Sequence, residues 1–149
     1  MLLTAWIRKK KISVEKNKKY YTTDPYLIWL LNSFVYSFSD FARLEKFYFT
    51  VTEKAKIIEN FIASELFKAK VEFYYFQNSR ELDFYLPNYQ LAIEVKYKDK
   101  ITREDIKPLQ LEAIPKKAKR IIVTRDILKK VDDIHLIPAH LVTFSPLFP

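Results

Sequence analysis

The sequence predicts an α/β or α+β sandwich: a helix, a three-stranded antiparallel meander, a second helix and a further strand, in one mixed sheet with helices packed on it. Three observations carry this. Residues 52–70 place Ile58, Phe61, Ile62, Leu66 and Ala69 on one helical face, with Glu53 in the first turn. Three extended segments follow at short intervals, VEFYYF (71–76), ELDFYL (81–86) and LAIEVKYK (91–98), either aromatic or alternating. Beyond the helix start Thr102-Arg103-Glu104-Asp105, RIIVT (120–124) is a short, β-branched apolar run of the kind a buried strand shows.

Residues 4–11 (TAWIRKKK) suit the end of a helix. Residues 12–21 suit two short strands around the polar tip Glu15-Lys16-Asn17-Lys18, a candidate hairpin. Asp24-Pro25 combines an N-cap acceptor with the proline that helices favour at their first position. The helix it opens carries Leu27, Ile28, Leu30, Leu31 and Phe34, is apolar over much of its circumference, and is expected to pack on another element. A basic hairpin between helices is like the wing of a winged-helix module, although little chain precedes it. Residues 1–50 therefore read as a partial winged-helix-like or dimerisation segment, ahead of a domain at 51–149. The helix at 25–38 is the candidate interface of a homodimer. Pro108 bends the helix after 102, and HLIPAHLVTF (135–144) has extended propensity.

Composition excludes several function classes. The 149 residues contain no glycine, which removes the Gly-rich loops of P-loop nucleotidases and dinucleotide folds. Without cysteine there is no disulfide framework, thiol nucleophile or thiolate-bound zinc. No segment carries the about 18 uninterrupted apolar residues of a membrane span, and Arg8-Lys9-Lys10-Lys11 breaks any signal-peptide pattern. The reading is a soluble, cytoplasmic protein. Its net charge of +8 is concentrated in residues 1–20 and 96–130, while the stretch between them is acidic. Such a field suits a polyanion, DNA first among them. A lysine-rich surface that keeps an aromatic-rich chain soluble is the alternative.

The chemistry concentrates in ELDFYLPNYQLAIEVKYK. A turn through Pro87-Asn88-Tyr89-Gln90 sets Leu86 against Leu91, Phe84 against Ile93 and Leu82 against Val95, a consistent apolar face. The other face then sets Asp83 against Glu94 and Glu81 against Lys96. Two carboxylates facing across a ladder, with Cβ atoms roughly 4.5–5.5 Å apart, repel one another and call for a bound divalent cation, a shared proton or a nearby cation. Hard oxygen donors of this kind suit Mg²⁺ or Mn²⁺. Lys96 emerges beside Glu94, where it would orient a water or stabilise charge developing on a phosphate. An ordinary hairpin with a solvated face and a Glu81–Lys96 salt bridge is the competing reading.

IENFIASEL, ELDFYL and AIEVKY resemble the nuclease superfamily named for its Pro-Asp…Asp/Glu-x-Lys motif, PD-(D/E)XK. The likeness is closer to the C-terminal domain of certain archaeal and bacterial P-loop ATPases, and Holliday-junction resolvases share a similar core. The resemblance covers about residues 52–144, and YYTTDPYLIWLL looks like the segment that precedes such a domain in those ATPases. It implies a restriction-endonuclease-like fold, Mg²⁺ (or Mn²⁺) as cofactor, and catalytic Asp83, Glu94 and Lys96, with Asp83 and Glu94 holding the metal. Leu82 stands where the motif has proline. Glu59 matches the helical glutamate of the family, whereas the helical wheel places Glu65 inside the buried apolar arc, so Glu65 remains the alternate.

Arg80 and the cluster Lys116, Lys117, Lys119 and Arg120 are candidate phosphate contacts. Gln110 is a weaker one. His135 and His140, five apart around Pro138, make no helical metal pair, and Ser64 and Ser79 have no evident base. Phe73, Tyr74, Tyr75 and Phe76 suit core and interface better than base stacking. The expected function is a metal-dependent DNA endonuclease. The alternative is a module of the same fold without turnover, binding DNA or docking on a separate ATPase.

Overall fold

The computed structural model describes residues 2–3, 5–8, 11–13, 19–38, 40–49, 51–77 and 80–142. The expected hairpin tip at 15–18, Ser79 and residues 143–144 lie outside the described residues. The elements are β1 (Leu2–Leu3), β2 (Ala5–Arg8), β3 (Lys11–Ser13), β4 (Tyr20–Tyr21), α1 (Pro25–Val35), α2 (Phe41–Tyr48) and α3 (Val51–Lys68). There follow β5 (Tyr74–Gln77), β6 (Glu81–Leu86), β7 (Leu91–Val95), α4 (Arg103–Ile106), β8 (Lys119–Thr124), β9 (Lys129–Val131), β10 (Ile134–Pro138) and α5 (Ala139–Val142). Eight strands form one mixed sheet in the order β3-β2-β5-β6-β7-β8-β10-β9, and β1 pairs with β4 separately. The expected α/β class holds: β5, β6 and β7 are an antiparallel meander, and β8 returns parallel to β7.

Both faces of the sheet are covered. On one, Phe84, Leu86, Leu91, Ile93, Ile121 and Val123 pack beneath Ile62, Ala63 and Leu66 of α3 and Ala139 and Val142 of α5. On the other, Phe76, Leu82, Tyr85, Ala92, Ile122 and Leu136 pack beneath Leu109, Ile114 and Ala118 of the 107–118 connection. The central strands β6, β7 and β8 are therefore shielded on both sides, and consecutive residues along each are buried instead of every second one.

Local chemistry explains the boundaries. The Asp24 carboxylate accepts the Tyr26 amide and Pro25 opens α1; the Asp40 carboxylate accepts the Arg43 amide and opens α2. Thr102 and Asp105 make a reciprocal capping box on α4, and Lys107–Gln110 continues as a 3₁₀ turn through Pro108. Helix α3 ends with Lys70 in the left-handed region, φ 55°. The Val71 amide donates to Leu66 O and the Lys70 amide to Phe67 O, both at 2.9 Å, with buried Val71 and Leu66 completing a Schellman ending. In a chain with no glycine, a lysine takes the strained position. Gln90, φ 47°, does the same at the β6–β7 turn.

Several expectations are corrected. Residues 5–8 are a strand, not a helix end. The strands at 11–13 and 20–21 do not pair with each other: β3 pairs with β2, and β4 with β1. Helix α1 packs against α3 as expected, but it leaves Leu27, Leu30, Leu31, Phe34 and Val35 exposed instead of burying its apolar girth. Helix α2 and strand β9 were not anticipated. The chain leaves β10 at Pro138 and turns helical at Ala139–Val142, since proline cannot donate to a ladder.

The expected hairpin register holds at Leu86–Leu91 and Phe84–Ile93 and then gives way. On the β5 side, pairing runs from Tyr74–Tyr85 to Phe76–Leu82: two steps along β5 meet three along β6. This bulge turns Leu82 to the face opposite Phe84, so Leu82 does not join Val95 in one core. The flat cross-strand pairs Asp83–Glu94 and Glu81–Lys96 are replaced by another arrangement.

Candidate functional site

Past the Phe84–Ile93 pair, side chains take over bonds that backbone would otherwise make. The Val95 amide donates to Asp83 Oδ2 at 2.8 Å, and the Asp83 amide donates to Glu94 Oε2 at 3.3 Å. Both carboxylates are thereby drawn between β6 and β7; Asp83 is 7% exposed and Glu94 2%. Groups so buried need partners. Lys96, at the end of β7, bonds Glu94 Oε1 through its ammonium, while its own amide donates to Val123 O of β8 at 2.8 Å. That amide bond fixes the root of the Lys96 side chain on the sheet.

A second cation comes from the segment before α1. Lys19 Nζ lies 2.7 Å from Glu59 Oε1 and 3.1 Å from Asp83 Oδ1, and it pairs with Glu81 as well. The Tyr21 hydroxyl donates to the same Glu59 oxygen at 2.6 Å. The Tyr75 ring flanks Lys19, 5.8 Å from the ammonium to the ring centre. Helix α3 holds this segment in place. Asn60 accepts the Thr22 amide at 2.7 Å and donates to Thr22 O, and the Ser64 hydroxyl donates to Thr23 O at 2.6 Å. Glu59 is one residue from Asn60, so the helix that anchors the segment also supplies the glutamate it meets.

The electrostatics follow from burial and crowding. Burial first, and then the Asp83 charge, push the Glu94 carboxyl up to about 8, against the opposing pull of Lys96. Glu59 is raised by the same two causes, with Lys19 and Tyr21 pulling it back. For Lys19, burial works to lower the proton affinity, but Asp83 and Glu59 outweigh it and hold the ammonium firmly protonated. Lys96 is likewise raised, Glu94 overcoming burial. Four carboxylates thus face two ammonium groups.

The structure brings Glu59, Asp83, Glu94 and Lys96 together at one end of the β6–β7 pair. Glu65 is elsewhere: it is half-buried and pairs with Lys68 at 2.8 Å. Arg80 is exposed just before Glu81, at the carboxylate end. Lys116, Lys117 and Lys119 are exposed, but Lys119 is level with Leu91, three residues or about 10 Å along the strands from the level of Glu94. Arg120 is turned inward, donating to Leu109 O, Lys116 O and Ala118 O and pairing with Asp133 at 2.6 Å. That internal bonding removes it from the expected phosphate contacts. Gln110, His135 and His140 are exposed, and Ser64 is the helical anchor already described. Tyr74, Tyr75 and Phe76 are buried, and Phe73 packs its ring edge-on against Phe84.

Sequence reasoning missed Lys19, Tyr21 and the involvement of Glu81 with a cation from outside the hairpin. The available signal was a helical glutamate at the margin of an apolar face, which needs a partner from another element.

The carboxylates are hard oxygen donors of the kind that hold Mg²⁺ or Mn²⁺. Among the described residues, no group of three or more acidic, histidine or cysteine side chains stands ready to hold a metal ion as the chain is folded. Glu59, Glu81 and Asp83 converge on Lys19 instead. Also among the described residues, no helix is long and apolar enough to cross a membrane.

Compared with known proteins, residues 54–142 match a family model described as a domain of unknown function (DUF4143). The match runs from α3 through α5. It includes Glu59, Asp83, Glu94 and Lys96 and begins after Lys19 and Tyr21. No curated protein and no solved structure matches the chain.

Proposed function

The chain belongs to the family described as a domain of unknown function (DUF4143), and for this member we propose metal-dependent hydrolysis of DNA phosphodiesters. One observation carries the reading: Asp83 and Glu94 displace ladder hydrogen bonds to sit buried between two strands, with the Lys96 ammonium on Glu94. Burying two acids side by side is costly, since the charge on one holds the proton on the other, and such pairs cluster at functional sites.

Asp83 and Glu94 would hold Mg²⁺ or Mn²⁺, with Glu59 assisting, and the ion would supply Lewis acidity toward a phosphate oxygen and its attacking water. Lys96 is held protonated by its neighbours, so it serves as a fixed positive charge beside the phosphate in the transition state and not as the base. Water adds to phosphorus and gives up a proton to solvent, the bond to one ester oxygen breaks, and that oxygen leaves with a proton from solvent. Arg80 at the near end of the sheet, and Lys116, Lys117 and Lys119 further along it, provide positions for backbone phosphates. The test scores cleavage of plasmid and branched DNA with Mn²⁺ by wild type, Asp83→Asn and Lys96→Ala. Cleavage lost in both variants supports the assignment; an Asp83→Asn protein that cuts at the wild-type rate overturns it.

The second reading is a module of the same fold without turnover, which binds DNA or docks on a separate ATPase; the exposed apolar side chains of α1 favour docking. In its DNA-binding form it expects binding that weakens steeply with salt and needs no divalent ion.

A further inference from the structure

Lys19 is placed unlike any surface lysine. Its ammonium gathers oxygens from three acids on two elements, Glu59 on α3 and Glu81 and Asp83 on β6. The side chain is about four-fifths shielded from solvent, and Asn60 and Ser64 tether the backbone three to four residues further on. We infer that Lys19 is a resident cation in the metal site: its ammonium and a divalent ion compete for the carboxylates of Asp83 and Glu59, and the metal binds only when the lysine swings out. This inference rests on the metal-dependent reading above.

The distances support competition. Oxygens at 2.7 Å and 3.1 Å from a nitrogen fit a hydrogen-bonded ammonium, whereas Mg²⁺ draws its ligands to about 2.0–2.1 Å. An ion ligated by Asp83 Oδ1 and Glu59 Oε1 would stand against the ammonium, positive charge on positive charge, and the shell must contract when one replaces the other. The charges support it as well. Four acids, Glu59, Glu81, Asp83 and Glu94, are met by only two ammonium groups, Lys19 and Lys96. Exchange of a single positive charge for a double one relieves that excess. A cavity of about 420 Å³ is lined by Lys19 together with Tyr20, Ile28, Leu31, Lys56 and Glu59, so there is open space beside this lysine. Lys19 precedes the family-matched residues 54–142, whereas Glu59, Glu81 and Asp83 lie within them.

The experiment titrates Mn²⁺ by calorimetry into wild type, Lys19→Met and Glu94→Gln. In parallel, acetylation of Lys19 in wild type by dilute acetic anhydride is followed by mass spectrometry with and without Mn²⁺. The expected result is affinity at least tenfold higher in Lys19→Met than in wild type, loss of binding in Glu94→Gln, and Lys19 acetylation that quickens at least tenfold when Mn²⁺ is bound. Should Lys19→Met fail to fold, the acetylation rates in wild type decide alone. Equal or weaker Mn²⁺ binding by folded Lys19→Met, or a Lys19 that stays protected while Mn²⁺ is bound, overturns the inference and leaves the metal site standing. Failure of every protein to bind Mn²⁺ overturns both.

Discussion

Asp83 accepts the Val95 amide through its side chain, at 2.8 Å, where a flat antiparallel ladder would offer a carbonyl. This one bond joins structure to chemistry. It consumes a buried donor that would otherwise be orphaned, and it holds the carboxylate between β6 and β7.

Replacement of Asp83 therefore has two separable effects. Asp83→Ala leaves the Val95 amide unpaired and takes one partner from Lys19, and is expected to cost about 2–4 kcal/mol of folding stability. Asp83→Asn keeps an oxygen for Val95 and is expected to stay within about 1–2 kcal/mol of wild type while losing Mn²⁺ binding. Urea unfolding and calorimetry on the two variants check this. If alanine and asparagine destabilised equally, the Val95 bond would not be the anchor described.

Much of the fold was legible because its signals are local. The Pro87–Gln90 turn and the alternation of Phe84, Leu86, Leu91 and Ile93 specify the hairpin from neighbouring residues alone. Asp24-Pro25 and the Thr102/Asp105 box likewise announce α1 and α4. The bulge at Asp83–Phe84 was not legible. It depends on how β5 meets β6, and with no glycine in the chain nothing marked it. Asp83, Glu94 and Lys96 could be selected as a site from spacing, but not their side-chain bonds to backbone. Lys19 lies 40 residues from Glu59 and 64 from Asp83, beyond any periodicity argument. The helical wheel favoured Glu65 because it assumed that α3 buries its whole apolar arc. In the fold Ile62, Ala63 and Leu66 turn to the sheet while Glu65 stays half-buried beside Lys68.

Arg120 distinguishes a structural from a nucleic-acid role. Its guanidinium is bonded to three carbonyls and Asp133, so Arg120→Ala is expected to lower stability by about 1–3 kcal/mol. Lys116→Ala and Lys117→Ala, at exposed positions, are expected to change stability by less than about 0.5 kcal/mol and to reduce the salt dependence of DNA binding. Thermal unfolding and salt-titrated binding on the three variants separate the roles. An Arg120→Ala protein of wild-type stability would contradict the bonding described.

Lys70 offers the reverse test, a substitution that should stabilise. It occupies the left-handed position of the α3 ending, where a Cβ costs roughly 1–2 kcal/mol. Glycine avoids that cost but adds freedom to the unfolded chain. The balance predicts that Lys70→Gly gains about 0.5–1 kcal/mol, read as a raised urea midpoint with an unchanged slope. Lys70→Ala retains the Cβ and is expected to gain nothing.

The pH dependence of the metal-free protein follows from Glu94. Its carboxyl is raised from 4.5 in the unfolded reference to about 8, burial leading and Asp83 second. Between those values the native state holds a proton that the unfolded chain has released. The contribution to stability is therefore complete below about 4.5 and is lost as pH rises through about 8. Glu59, raised for the same reasons, acts in the same direction. Each such group steepens the fall by at most about 1.4 kcal/mol per pH unit. Asp105 has the opposite sign: burial works to raise it, but Lys98 and Thr102 overcome this and hold it below 3.8, so its contribution is lost only as pH falls through that lower value. In EDTA, the urea midpoint is expected to decline from pH 5 to pH 8 and then level off. Glu94→Gln, which cannot ionise, is expected to show a shallower decline, while Mn²⁺ should stabilise wild type most at the alkaline end, where Glu94 is ionised. Parallel pH profiles for wild type and Glu94→Gln in EDTA would show that Glu94 ionises without cost, and the strain assigned to the paired carboxylates would be absent.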